Sequence, residues 1–100
     1  MSLTIEQDFQ YKGSDWWVWS VWVDGPEVEL DDLDYVEYTL HPTFPKPVRV
    51  IKDRDSKFRL SAAGWGVFTI YVKAVHKDGQ ATRLEHELEL LYDDGVPTTA

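Results

Sequence analysis

Phe68-Thr-Ile-Tyr-Val-Lys-Ala-Val-His-Lys-Asp-Gly-Gln-Ala-Thr-Arg-Leu-Glu-His-Glu-Leu-Glu-Leu90 is the stretch on which the fold turns. Its first part alternates Phe68, Ile70, Val72 and Ala74 with Thr69, Tyr71 and Lys73, the pattern of a half-buried strand. Its second part reads two ways. Arg83 to Leu91 is rich in helix formers, and Leu84, Leu88 and Leu91 fit a helical face, while Leu84, Leu88 and Leu90 alternate with glutamates as a strand would. Hairpin register separates the two. A two-residue Asp78-Gly79 turn would set Glu85, Glu87 and Glu89 opposite Val72, Ile70 and Phe68 and drive carboxylates into the core. A three-residue Lys77-Asp-Gly79 loop, with Gly79 left-handed, pairs His76 with Gln80, Val72 with Leu84 and Phe68 with Leu88, so both apolar faces agree. The sequence therefore predicts a strand from Ala81 to Tyr92. It also turns His86 inward opposite Ile70, predicting a largely buried, neutral imidazole with a hydrogen-bond partner.

Upstream the same reading continues. Leu3, Ile5, Phe9 and Tyr11 alternate with polar residues. Trp16 to Val23 is apolar on both parities except at Ser20, as expected of a central or doubly covered strand. Glu27 to Asp34 is acidic, anchored only by Val28, Leu30 and Leu33, and reads as a loop or short edge. Tyr35 to Leu40, Val48 to Lys52 and a short segment through Phe58 and Leu60 complete the strand list. About seven to eight short strands with frequent turn signals and no convincing helix predict an all-β, immunoglobulin-like antiparallel sandwich. Residues 1–95 read as a single domain and 96–100 as a frayed tail.

Composition narrows the function. The chain has 100 residues, with 43% hydrophobic and 14% aromatic, five of them Trp, and so has the material for one packed core. It has no Cys, which excludes disulfides, thiol nucleophiles and Cys-ligated metals. A formal charge of −8 speaks against nucleic acid and for a basic partner such as a Lys/Arg-rich peptide. No apolar run is long enough to span a membrane, and Met1–Gln10 has no signal-peptide pattern, so cytoplasmic residence is the expectation. Catalysis is poorly supported: there are three histidines, no Gly-x-Ser-x-Gly elbow and no Ser/His/Asp set recognisable from spacing. The acidic run Glu27, Glu29, Asp31, Asp32 and Asp34 lacks the spacing of a calcium loop and reads as a solvated edge. Neither a metal nor a cofactor is expected.

Two loops carry more than turns require. His41-Pro-Thr-Phe-Pro-Lys-Pro47 presents Phe44 among prolines that restrict φ, and Gly64-Trp-Gly66 presents Trp65 between glycines that let a backbone bend or approach a ligand. On residue chemistry alone these aromatics either form a site or plug one end of the core. Trp16 and Trp22 share one parity, Trp17 and Trp19 the other; an exposed pair would suit stacking on sugar rings.

Trp19-Ser-Val-Trp-Val-Asp-Gly-Pro26, Tyr38-Thr-Leu-His-Pro-Thr-Phe-Pro-Lys-Pro-Val-Arg-Val50 and Gly64-Trp-Gly-Val-Phe68, in that order, resemble the YEATS domain family over about Trp16 to Leu90. The resemblance implies an immunoglobulin-like sandwich and a non-enzymatic reader of acylated lysine, acetyl or crotonyl, held in a channel at one end. It further implies that Phe44 and Trp65 wall the acyl-amide and that Thr43 supplies a hydroxyl to it. In the same scheme the Trp65 main-chain N–H meets the acyl carbonyl, His41 braces the loop, Gly64 and Gly66 permit close approach, and Trp16 stands at the channel mouth. Asp53-Arg-Asp-Ser-Lys-Phe58 lacks the Pro-Pro-aromatic turn common in eukaryotic relatives, and the compact, Trp-rich chain is more similar to prokaryotic YEATS-like domains. Two other functions fit the fold. A protein-interaction or sensor domain would bring Phe44 and Trp65 into contact with no slot between them. A carbohydrate-binding module would show a flat Trp face on the strand from Trp16 to Val23.

Overall fold

The structure, a computed structural model, describes residues 3–98. It contains seven strands: β1 (Thr4–Gly13), β2 (Trp16–Asp24), β3 (Leu33–Thr39), β4 (Val48–Ile51), β5 (Leu60–Gly64), β6 (Thr69–His76) and β7 (Ala81–Glu87), with one helical turn, α1 (Glu27–Asp31), between β2 and β3. They form two antiparallel sheets, one of order β1-β2-β5 and one of order β4-β3-β6-β7. This is the all-β sandwich that the alternation predicts.

The decisive hairpin has the three-residue register. Ile70 faces His86, Val72 faces Leu84, and the His76 N–H bonds to the Gln80 carbonyl at 2.7 Å, with Gly79 at φ +90°. A left-handed residue is required there, and only glycine takes it without cost. β7 itself stops at Glu87, although one more backbone bond, Leu88 N–H to Phe68 O, extends the pairing. Leu88 and Leu90 then turn fully into the core.

The core lies between the inner faces. β2 supplies Trp17, Trp19, Val21 and Val23, and the other sheet supplies Val36, Tyr38, Ile70, Val72 and Ala74. β2 is central in its sheet, and its outer face is covered in part: Trp16 and Val18 are exposed, while Ser20 is buried and Trp22 is half-buried. Tyr38 is fully buried and donates its hydroxyl to the Phe58 carbonyl at 2.6 Å, and burial raises its pKa far above the ordinary tyrosine range.

Three local expectations change. The acidic stretch is not all loop: Pro26 presets φ at the entrance, the Pro26 carbonyl accepts from the N–H groups of Glu29 and Leu30, and fully buried Leu30 pins the turn to the core. Phe58 is not in a strand; with φ 58° beside Lys57, also at φ 58°, it makes a left-handed turn that drives its ring into the core. The tail is tied back as far as Thr98, whose N–H bonds to the Leu90 carbonyl at 3.0 Å, while Leu91 bridges Pro97. Thr99 and Ala100, also expected to fray, lie outside the described residues.

His86 faces inward as expected but is half-buried, because β7 is an edge strand and the ring sits at the seam with β1. Its Nε2–H donates to Gln7 Oε1 at 2.6 Å; the same oxygen accepts the Glu89 N–H, and Gln7 Nε2 returns a bond to the Glu89 carbonyl. Burial lowers the His86 pKa, partly opposed by Glu6 and Glu87. The unfolded chain therefore binds this proton more readily than the fold does. Stability from this group is complete above the unfolded value of about 6.5 and is lost as pH falls through the lowered folded value. Urea midpoints at pH 7.5 and 5.5 test it: the wild type should lose more stability across that step than His86→Gln, and equal losses would refute the assignment.

Candidate functional site

Three loops meet at one end of the sandwich: β1–β2, β3–β4 and β5–β6. The β3–β4 loop is closed at its base by the Leu40 N–H bond to the Pro47 carbonyl, 2.8 Å. Inside it, Lys46 takes φ 49°, and Arg49 reaches back to grip two carbonyls, those of Lys46 (2.6 Å) and Pro45 (2.8 Å). The loop is held by its own strand.

This bracing presents His41, Thr43 and Phe44. The Thr43 N–H donates to His41 Nδ1 at 3.2 Å, and the Phe44 N–H to the His41 carbonyl at 3.0 Å. A ring nitrogen that accepts a main-chain proton carries none itself, so the Thr43 hydroxyl, 2.9 Å away, is the donor in their contact. The lone pairs of Thr43 Oγ1 are then free to accept from a ligand. Phe44 is half-buried, edge-on to Trp19 (6.2 Å between ring centroids) and tilted against Phe68 (5.3 Å).

Across from this loop, β5 runs into Gly64-Trp-Gly66, and Trp65 stands 61% exposed. Neither flanking glycine has positive φ, and a Cβ at Gly64 would meet Phe44 Cζ at 3.5 Å, an ordinary contact distance. Between the loops is an open groove of about 440 Å³. All seven residues singled out from sequence, His41, Thr43, Phe44, Gly64, Trp65, Gly66 and Trp16, line it, the last of these at 44% exposure. Phe44 and Trp65 share the groove without ring contact among the described residues, so the plugged arrangement is not the one present. No Asp, Glu, Lys or Arg lines it.

Sequence reading missed Pro45, Ala63, Val67 and Phe68 as lining residues, and Arg49 as the brace. Phe68 was visible as one apolar position in an alternating strand and as the end of the quoted Gly64–Phe68 motif, with nothing to mark it as a lining residue. Arg49 lay inside the quoted motif with nothing to mark its reach.

The flat Trp face is also absent. The Arg59 guanidinium lies 4.6 Å over the Trp22 ring and is held there by Asp8 at 2.7 Å, while Trp16 belongs to the groove. At the opposite end, His76 joins Asp32 Oδ2 (3.2 Å) to Thr82 Oγ1 (2.8 Å), tying the segment after α1 to the β6–β7 hairpin.

Residues 17–89 match the prokaryotic YEATS domain family, a span that includes both groove loops. The chain belongs to that family. This YEATS domain is 42% identical over 60 residues to the protein AF-9 homolog of Eremothecium gossypii, covering 56% of this chain and 27% of that one. It is 37% identical over 65 residues to transcription initiation factor TFIID subunit 14 of Schizosaccharomyces pombe, covering 64% of this chain and 26% of that one. The aligned part is thus about a quarter of each relative. In three dimensions it resembles the Yaf9 YEATS domain bound to H3K27ac, with a TM-score of 0.66, 25% identity, and coverage of 97% of this chain and 74% of that one. The structure of the Yaf9 YEATS domain recognizing H3K122suc peptide matches equally, at TM-score 0.66 and 25% identity, over 97% of this chain and 73% of that one. YEATS domains are recognition modules and generally not enzymes. No helix of the described residues is long and apolar enough to cross a membrane.

Proposed function

We propose that this YEATS domain is a non-enzymatic reader of acylated lysine, with acetyl- and crotonyl-lysine as the ligand class. The observation that carries the reading is a groove walled by Phe44 and Trp65, lined by no charged side chain, with a Thr43 hydroxyl oriented to accept. The solved Yaf9 domains named with H3K27ac and H3K122suc support it by analogy.

The discrimination follows from solvation. An ammonium gains attraction from the rings but loses part of its water against an uncharged, largely apolar lining. Acylation removes the charge and adds a planar amide, whose N–H donates to Thr43 Oγ1 and whose carbonyl accepts the Trp65 main-chain N–H. Burying ~100 Å² of acyl surface contributes about 2.5 kcal/mol. Stacking adds roughly 0.5–1.5 kcal/mol. After association costs, affinity falls on the order of micromolar to millimolar. The formal charge of −8 favours a basic peptide around the modified lysine.

A heteronuclear NMR titration tests this. Acetyl- and crotonyl-lysine peptides should give saturable shifts at Thr43, Phe44 and Trp65, and the unmodified peptide none. Absence of shifts at millimolar acyl peptide would overturn the reading in favour of an interaction domain that keeps the fold.

A further inference from the structure

Directly behind the groove lies a buried donor with no partner. Trp19 is 1% exposed, and its Nε1 has no hydrogen-bond acceptor. Trp17, two residues earlier on the same face of β2, differs: its Nε1 donates to the Leu91 carbonyl at 2.8 Å. An orphaned N–H in a packed core is uncommon and calls for a reason. The rings against Trp19 are Phe44 and Phe68, both groove residues and neither with an oxygen or nitrogen to take the proton.

Gly64 gives the position of that donor. A Cβ built at Gly64 would stand 4.0 Å from Trp19 Nε1 and 3.5 Å from Phe44 Cζ, both ordinary contact distances. The indole nitrogen therefore stands immediately behind the groove's lining at Gly64, with the Phe44 edge beside the same point.

We infer that the Trp19 indole N–H is a hidden recognition element that selects acyl chains carrying a neutral oxygen acceptor, a hydroxyl or keto group, at their far end. The inference rests on the acyl-lysine reading and deepens it. A short acetyl group stays between Phe44 and Trp65. A chain of about four carbons presses past Gly64 and the Phe44 edge and brings its terminal oxygen to Nε1, a donor with no protein acceptor to give up for the new bond. A terminal carboxylate would reach the same atom at a higher cost, since no cation lines the groove to pair with it.

The experiment compares two lysine peptides of equal chain length, one 4-hydroxybutyryl and one pentanoyl, which differ by a hydroxyl in place of a methyl, with the acetyl peptide as reference. Indole ¹H–¹⁵N resonances are followed in each titration. The hydroxyl peptide should bind about threefold to tenfold tighter, the range of one net hydrogen bond. It should move the Trp19 indole resonance downfield and leave that of Trp17 in place, whereas pentanoyl should shift Trp65 and not Trp19. Trp19→Phe, which removes the N–H, should equalise the two affinities; the wild-type indole readout stands even where that variant folds poorly. Equal affinities with Trp19 unmoved, or acetyl binding with both longer chains excluded, would overturn this inference and leave the acyl-lysine reading intact. No binding of any acyl peptide would overturn both.

Discussion

Trp65→Ala is expected to weaken acetyl-lysine binding by at least about tenfold, equivalent to about 1.4 kcal/mol, while changing the unfolding free energy by no more than about 0.5 kcal/mol. The two halves of that expectation come from one fact. Trp65 is 61% exposed, so its ring contributes little to the core and is spent on the groove. Phe44→Ala forms the contrast. Phe44 packs on Trp19 and Phe68, so its loss should lower both binding and stability and would be a poor test alone. Calorimetric or NMR titration beside urea unfolding separates the effects. Unchanged affinity in a folded Trp65→Ala protein would remove this residue from the site.

Trp17→Ala should be the most destabilising of the substitutions considered, by about 3–5 kcal/mol. Trp17 is fully buried, its ring lies 4.9 Å from both Tyr11 and Tyr92, and its N–H is taken by the Leu91 carbonyl. Truncation opens a large cavity and strands that carbonyl. Since domains of this size have on the order of 5–15 kcal/mol in total, the variant should sit near the unfolding threshold. Trp17→Phe keeps most of the volume and loses the hydrogen bond, so about 1–3 kcal/mol is expected. Urea denaturation reads both. A loss below about 1 kcal/mol for the alanine variant would contradict the packing described.

The sheets and the groove were largely legible because their signals are local. Register in the β6–β7 hairpin follows from a period of two and one glycine, and a wrong register would have buried three glutamates. The groove residues sit in two short motifs, and their convergence follows from the sandwich bringing both loops to one end. What was missed depends on distant contacts. α1 has five residues, too few for a helical period to declare itself, and it exists because Leu30 reaches the core. Phe58 reads as a strand residue; its left-handed backbone is tolerated only because the ring is wholly buried and its carbonyl caps Tyr38. His86 was expected to be buried more deeply, and the difference is the edge position of β7.

The grip of Arg49 on the Pro45 and Lys46 carbonyls has a consequence for timing. A loop already fastened to its own strand has no ordering step to complete when a ligand arrives. Encounter should then proceed at much the same rate for every acyl chain, and discrimination among them should reside in how long each stays. On the proposed acyl-lysine reading, such a loop would make a detector of modest affinity that samples quickly and forgets quickly, able to follow a modification as it is added and removed.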